Sequence, residues 1–233
     1  MKRILDFGCG KGYRAEVLAK RGEYWGIDID PQNIALAKKD YPAGHFTTAE
    51  PDLLPFDDSS FDEIYAFDVL EHVNYFEKTI AEICRCLRSG GRFVAEVPFA
   101  ESEKILNMFY PNYLKDAGHK RIIINKDMVR TAHQYGFKLA KKARKKGIDN
   151  LFLVFMFMTG HRIIRQTGDL QAENLILQRV AYLFSEDFFS TRFFRKIRWF
   201  WFICPIWLLS QPIGRLLSWI LPKTIRYEFV LNK

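Results

Sequence analysis

The chain has 233 residues, 48% hydrophobic and 27% charged, enough apolar content to bury a core and to exclude a disordered protein. Its net charge of +8 is uneven: residues 1–136 carry 18 Lys and Arg against 21 Asp and Glu, and residues 137–233 carry 17 against 6. The basic excess and four of the five tryptophans (Trp199, Trp201, Trp207, Trp219) therefore share the second part, and such segments partner nucleic acid or an anionic membrane surface.

"RILDF" (Arg3–Phe7) reads as a buried strand that stops at glycines. "YRAEVLAKRG" has helical spacing, with Gly22 as its C-cap. "YWGIDID" (Tyr24–Asp30) is a second strand, and Pro31 opens the helix "PQNIALAKKD" from the first-turn position it favours. "HFTT" is a third strand. "FDEIYAFD" (Phe61–Asp68) is a fourth, followed by a helix through about Arg88 that "SGG" closes. "RFVAEVPF" is a fifth. A helix over Lys126–Tyr135 leads to "FKLAKKARKK", a sixth, and "RYEFVLNK" alternates as a seventh. This alternation predicts a parallel sheet with helices on both faces. About 75 residues, 149–222, break the rhythm and read as a helical insertion, leaving 1–148 and 223–233 as one domain.

The cysteines form no framework. Cys84 and Cys86, alternate residues on a helix, do not face each other, and reduced thiols are the expectation. No metal site stands out, since the acids are dispersed and His161 stands alone. Residues 1–20 carry charges throughout and lack an apolar run, so no secretory leader is read and the chain is expected in the cytoplasm.

"ILDFGCGKGY" sets Asp6 at the end of the first strand, before Gly8, Gly10 and Gly12. Glycines there let the backbone turn tightly and approach a ligand. The dinucleotide pattern G-x-G-x-x-G also does this, but here Tyr13 holds the place of its third glycine. A carboxylate at position 6 repels a pyrophosphate and suits a positively charged ligand, an ammonium or a sulfonium. Asp28 ends the second strand, where a carboxylate accepts both hydroxyls of a ribose.

"ILDFGCGKG", "GIDID", "FDEIYAFDVLEHV" and "LRSGGRFVAEVPF", in that order, resemble the successive motifs of class I S-adenosylmethionine-dependent methyltransferases, most closely the small-molecule group that includes quinone-biosynthesis enzymes. The resemblance covers about residues 3–140 and the last strand. It implies a Rossmann-like seven-stranded α/β sheet and S-adenosyl-L-methionine as cofactor. It further implies Gly8, Gly10 and Gly12 along the methionine and ribose, Asp28 on the ribose hydroxyls, Ile29 against adenine, and Asp68 and Leu70 beside the methionine moiety. Two departures stand out. Where the family often has an acidic residue before an alanine after strand three, this chain has Thr48 before Ala49, and Glu50, or else Asp52, is the substitute. Related enzymes usually carry a helix before strand one; either Met1 is not the biological start, or another element covers the pocket.

Methyl transfer from a sulfonium needs positioning and exclusion of water, with a base for a hydroxyl or acidic carbon acceptor. His72 of "DVLEHV", placed at the start of a helix, is the base candidate, with a packing role as the alternative. Glu71 holds the cofactor loop. His119 is a second candidate whose favoured reading is a solvated loop residue. Asp68 doubles as a helix N-cap.

"WFWFICPIWLL" (Trp199–Leu209) is eleven apolar residues long, about 16 Å as a helix against a hydrocarbon core of about 30 Å. Pro205, Pro212 and Arg215 disfavour a simple span. Two short interfacial helices or a re-entrant hairpin, flanked by Arg192, Arg195, Lys196, Arg198, Lys223 and Arg226, fit an anionic membrane surface better. A buried cap, a lid or a homodimer interface is the alternative, and nucleic acid is disfavoured because the aromatics cluster with aliphatics. "KLAKKARKK" is either part of the basic surface or a lysine-protected edge strand. The expectation is a methyltransferase, peripheral on the inner face of a membrane, for a small lipophilic acceptor. A soluble small-metabolite enzyme and a non-catalytic cofactor-binding protein are the alternatives.

Overall fold

The computed structural model describes residues 1–109, 111–145 and 224–232. Its elements in chain order are β1 (Arg3–Phe7), α1 (Ala15–Ala19), β2 (Glu23–Asp28), α2 (Pro31–Asp40), β3 (His45–Thr48), β4 (Phe61–Phe67), α3 (Phe76–Cys86), β5 (Leu87–Pro98), α4 (Ala100–Phe109), α5 (Tyr113–Asp116), α6 (Asn125–Gln134), β6 (Phe137–Lys145) and β7 (Thr224–Leu231). Runs of consecutive buried residues in β1 and β4 mark strands covered on both faces, which is what an apolar run bounded by glycines encodes. On one face Ile4, Tyr24, Phe46, Tyr65 and Val94 pack against Leu18, Ile34 and Ala37 of the first two helices.

The seven strands order as β3-β2-β1-β4-β5-β7-β6. The first five are parallel, but β7 lies between β5 and β6 and is antiparallel to both, so the sheet is mixed rather than wholly parallel. Strand–helix alternation predicts parallel neighbours only where a crossover returns the chain to the same end of the sheet. The lysine-rich β6 is an edge strand with Lys138, Lys141, Lys142 and Arg144 exposed, a pattern that discourages edge-to-edge pairing.

Three boundaries differ from the sequence reading. Asp68 takes a left-handed backbone (φ 51°), and Val69 to His72 form a turn closed by His72 N–H on the Val69 carbonyl (3.0 Å). The helix thus begins only at Phe76, so Asp68 is not its N-cap and His72 stands in a turn, not in a helix. "SGG" does not close that helix either. The helix ends at Cys86, and "SGG" falls inside β5, which starts at Leu87. Helix α4, with Glu103, was not read from the sequence at all.

Gly22 is not a C-cap: the helix closes at Lys20. It is glycine because the chain passes close to β1, where an added Cβ would stand 2.2 Å from the Lys2 carbonyl oxygen. The neighbouring Glu23 N–H bonds to that same oxygen (2.8 Å) and starts the β1–β2 ladder. Gly22→Ala is expected to lower unfolding free energy by about 2–3 kcal/mol, the upper range for overpacking against unyielding backbone. Urea denaturation midpoints measure this, and an unchanged midpoint would refute it.

The chain divides into two units. The first, Met1–Lys104, Leu114–Lys145 and Thr224–Lys233, carries the sheet. The second is Ile105–Tyr113 with Lys146–Lys223, and most of it lies outside the described residues. The expected insertion at 149–222, with the Trp199–Pro222 stretch, also lies outside them. Among the described residues no helix is long and apolar enough to cross a membrane.

Candidate functional site

The chain lays down β1, β2 and β3 outward in one direction, then returns to place β4 on the other side of β1. Ligands of open α/β sheets bind beyond the C-terminal strand ends at such a switch point. A cleft opens there, lined by Phe7 and Gly8 at the end of β1, Asp28 and Ile29 at the end of β2, Ala49 to Asp52 after β3, and Val69 and His72 to Tyr75 after β4. A larger groove lies at the opposite ends of β1, β4 and β5. Its charges already satisfy one another: Glu63 pairs with Lys2 (3.0 Å), Arg21 (3.2 Å) and Arg92 (3.1 Å), and Asp62 with Arg88 (2.8 Å).

The glycine turn hangs on Asp28. One carboxylate oxygen accepts from Gly10 N–H (2.9 Å), and the other from Asp30 N–H (2.9 Å) and the Asn33 amide (3.3 Å). Gly8 adopts φ +74°, and a Cβ there would meet Val69 Cγ2 at 2.5 Å. Space is open around Gly10, whereas Gly12 backs onto Ala37 and Phe46 and serves packing. Asp6 lies fully buried at the end of β1. Its Oδ2 accepts from the Tyr24 hydroxyl (3.0 Å), and its Oδ1 has no hydrogen-bond partner. Burial lifts the Asp6 pKa to about 6, the Tyr24 bond and Arg14 oppose this, and the nearby Asp28 charge adds to it.

The other sequence-predicted residues divide. Ile29 is exposed on the cleft wall, as an apolar face awaiting a planar partner would be. Glu50 and Asp52 both line the cleft. Asp68 is exposed at the end of β4 and faces Arg14 at 3.9 Å. Leu70 is fully buried, so its side chain serves the core and only its backbone is available to a ligand.

Residues 5–95 match the family of methyltransferase domains. Those residues, β1 to most of β5, resemble the domain of class I S-adenosylmethionine-dependent methyltransferases. Over 105 residues, 43% of this chain and 37% of the relative, the chain is 33% identical to a phthiotriol/phenolphthiotriol dimycocerosates methyltransferase of Mycobacterium tuberculosis. Over 101 residues, 40% of this chain and 37% of the relative, it is 39% identical to the O-methyltransferase cnsE of Penicillium expansum. The chain spans about 37% of the length of these two curated relatives. The YcgJ protein of Bacillus subtilis has the same fold, with a TM-score of 0.58 at 15% identity over 100% of this chain and 92% of that one.

S-adenosyl-L-methionine is the cofactor of that class, and the residues of this cleft fit it. The buried, unpartnered Asp6 oxygen offers negative potential beneath the turn, open space surrounds Gly10, and Asp28 and Ile29 offer an acceptor and an apolar face side by side.

Around the cleft-lining His72 the chain assembles a polar cluster whose members are dispersed in the sequence. His72 Nδ1 donates to the Gly118 carbonyl (3.0 Å). His119 is not a solvated loop residue: its side chain is 10% exposed, and Nδ1 donates to Glu103 Oε1 (2.5 Å). The His72 and His119 rings meet edge-on at 4.8 Å between centroids. Glu71, 1% exposed, has its Oε2 buried with no hydrogen-bond partner, and burial, with the Asp68 charge adding to it, pushes its pKa to about 7. Burial lowers the His72 pKa; it acts the same way on His119, but the Glu103 hydrogen bond and charge hold His119 above the usual histidine value. Glu103 carried no sequence signal, because its pairing with residue 119 is a contact between a helix and a loop.

Proposed function

We propose that the chain transfers the methyl group of S-adenosyl-L-methionine to a hydroxyl of a small lipophilic acceptor. The carrying observation is the switch-point cleft, where Asp28 anchors the glycine turn on one side and the basic His72 stands on the other. The cofactor supplies a methyl on a sulfonium, already activated for in-line displacement. Asp28 and Ile29 orient the nucleoside, and the Asp6 carboxylate balances positive charge at the turn. With Nδ1 engaged by Gly118, Nε2 is the basic atom of His72, and it takes the acceptor proton as the oxygen–carbon bond forms and the carbon–sulfur electron pair passes to sulfur.

Two observations support a lipophilic acceptor. One relative is named a phthiotriol/phenolphthiotriol dimycocerosates methyltransferase, and the sequence carries the eleven-residue apolar run Trp199–Leu209 with basic flanks. The same run supports docking on an anionic membrane surface on the cytoplasmic side. A methyl-labelled cofactor incubated with lipid extracts and the full chain tests the reading. Label is expected in an organic-soluble product, reduced about 100-fold or more by His72→Ala, with S-adenosylhomocysteine affinity unchanged. Flotation with phosphatidylglycerol liposomes is expected to carry the chain upward. Turnover confined to water-soluble acceptors, with no flotation, would replace this reading with a soluble small-metabolite enzyme; cofactor binding without any turnover would leave a binding protein.

A further inference from the structure

Glu71, His72 and His119 each offer one ligating atom, and the three atoms lie within 4.8 Å of one another. They reach this arrangement from a turn after β4 and a loop 46 residues further on, joined by Lys120 N–H on the Glu71 carbonyl (2.8 Å). Two carboxylates at this cluster, Glu71 and Glu103, each hold a buried oxygen with no hydrogen-bond partner. An unpartnered buried carboxylate oxygen is costly, and a cation is the commonest group that satisfies one.

The ring chemistry points the same way. Each histidine gives Nδ1–H to a fixed acceptor, the Gly118 carbonyl for His72 and the Glu103 carboxylate for His119. That fixes the tautomer whose ligating nitrogen is Nε2, and a carboxylate or carbonyl behind each imidazole is how metal-binding histidines are oriented. Two imidazoles and one carboxylate suit zinc and its first-row neighbours rather than magnesium or calcium, which prefer oxygen. Ligands around such an ion stand about 2.0–2.1 Å from it and roughly 3.4 Å from each other. The set would draw inward by about 1.4 Å at its widest pair, a movement within reach of the exposed His72 ring.

We infer that Glu71, His72 and His119 form a binding site for one divalent transition-metal ion, with Glu103 and the Gly118 carbonyl orienting the two histidines. His72 lines the cleft, as do Val69 and Val73 two positions either side of Glu71, so the site borders the cleft. The inference rests on the function proposed above and changes one role in it: with an ion bound, His72 Nε2 is a ligand rather than the base, and the ion would acidify the acceptor hydroxyl so that its proton passes to water. The oxygen–carbon bond would form as the carbon–sulfur bond breaks, its electron pair leaving on the sulfur of S-adenosylhomocysteine.

The test uses the full chain without an affinity tag, treated with chelator and then titrated with Co2+ and with Zn2+, by visible absorption and calorimetry. One equivalent is expected to bind at micromolar or tighter affinity, with cobalt bands in the visible. His72→Ala and His119→Ala should each weaken this at least tenfold. Glu103→Gln, which keeps all three ligands, should weaken it about 10–100-fold. Circular dichroism and S-adenosylhomocysteine binding are recorded on every sample. No saturable binding by the parent chain, or equal binding in the parent and all three variants, overturns the inference. If homocysteine-cofactor binding persists in that case, the methyltransferase reading stands and only the metal falls. Metal binding without cofactor binding gives the reverse.

Discussion

Asp28→Ala is expected to reduce affinity for S-adenosylhomocysteine by about a hundredfold or more, near 3 kcal/mol. The Asp28 carboxylate accepts three hydrogen bonds, from Gly10, Asp30 and Asn33, and so ties the glycine turn to the start of α2. Bonds to a charged acceptor contribute about 1.5–3 kcal/mol each. The alanine variant therefore loosens the turn and removes the acceptor proposed for the ribose hydroxyls in one change. Asp28→Asn should do nearly as badly, because its amide would point a donor at one of the N–H groups the carboxylate now accepts. Isothermal titration at constant ionic strength measures both. Affinity within threefold of the parent for either variant would remove Asp28 from the cofactor site.

Asp6 gives the second large effect, and it appears as a pH dependence of stability. An aspartate in the unfolded chain titrates near 3.8, and Asp6 in the fold titrates near 6 because burial disfavours its charge. Between those values the folded chain holds a proton that the unfolded chain has lost. Stability from this group is therefore fully present below about pH 4 and falls as pH rises through 6, by up to about 3 kcal/mol. Asp6→Asn cannot titrate. Its stability relative to the parent should accordingly rise by about 2–3 kcal/mol between pH 4 and pH 7.5, whatever offset the amide introduces. Urea unfolding at pH 4.5, 6 and 7.5 reads this difference; a parent–variant gap independent of pH would show that Asp6 keeps its charge. The same variant should bind S-adenosylhomocysteine about tenfold more weakly at pH 7.5, because a charge opposite the ammonium is lost.

The two predictions differ in what sets them. Asp28 is already committed to backbone donors, so its loss acts by loosening a turn. Asp6 stores unfavourable charge beneath that turn, and a cationic ligand relieves it. Burial of a carboxylate with one unpartnered oxygen is costly, and a nearby positive charge offsets that cost, a common arrangement at binding sites. Glu71 follows the same pattern next to the cleft-lining His72, where its buried Oε2 lacks a hydrogen-bond partner.

Much of the sheet was legible from local signals. Arg3–Phe7, Pro31–Asp40 and His45–Thr48 were read with the bounds the structure gives them, because apolar runs end at glycines and Pro31 follows an N-cap aspartate that accepts from Gln32 N–H (2.8 Å). The glycine turn and Asp28 were legible for the same reason: a tight turn after a buried strand needs particular residues at adjacent positions. Errors came where one residue had two local meanings. Gly22 resembled a C-cap, and only the nearby Lys2 carbonyl shows that it is a close approach of two segments of the chain. Asp68 resembled an N-cap, and its left-handed backbone delays the helix to Phe76.

The amino-acid order by itself determined the strands, the turn that follows β1 and the carboxylates at 6 and 28, since each depends on neighbours a few positions away. Tertiary structure alone decided that β7 enters antiparallel between β5 and β6, that Asp6 is sealed from water, and that Glu71, His72, Glu103 and His119 meet. Burial and side-chain pairing are properties of the space between elements. Glu103 and His119 are 16 residues apart and touch only because a helix and a loop converge on one strand end.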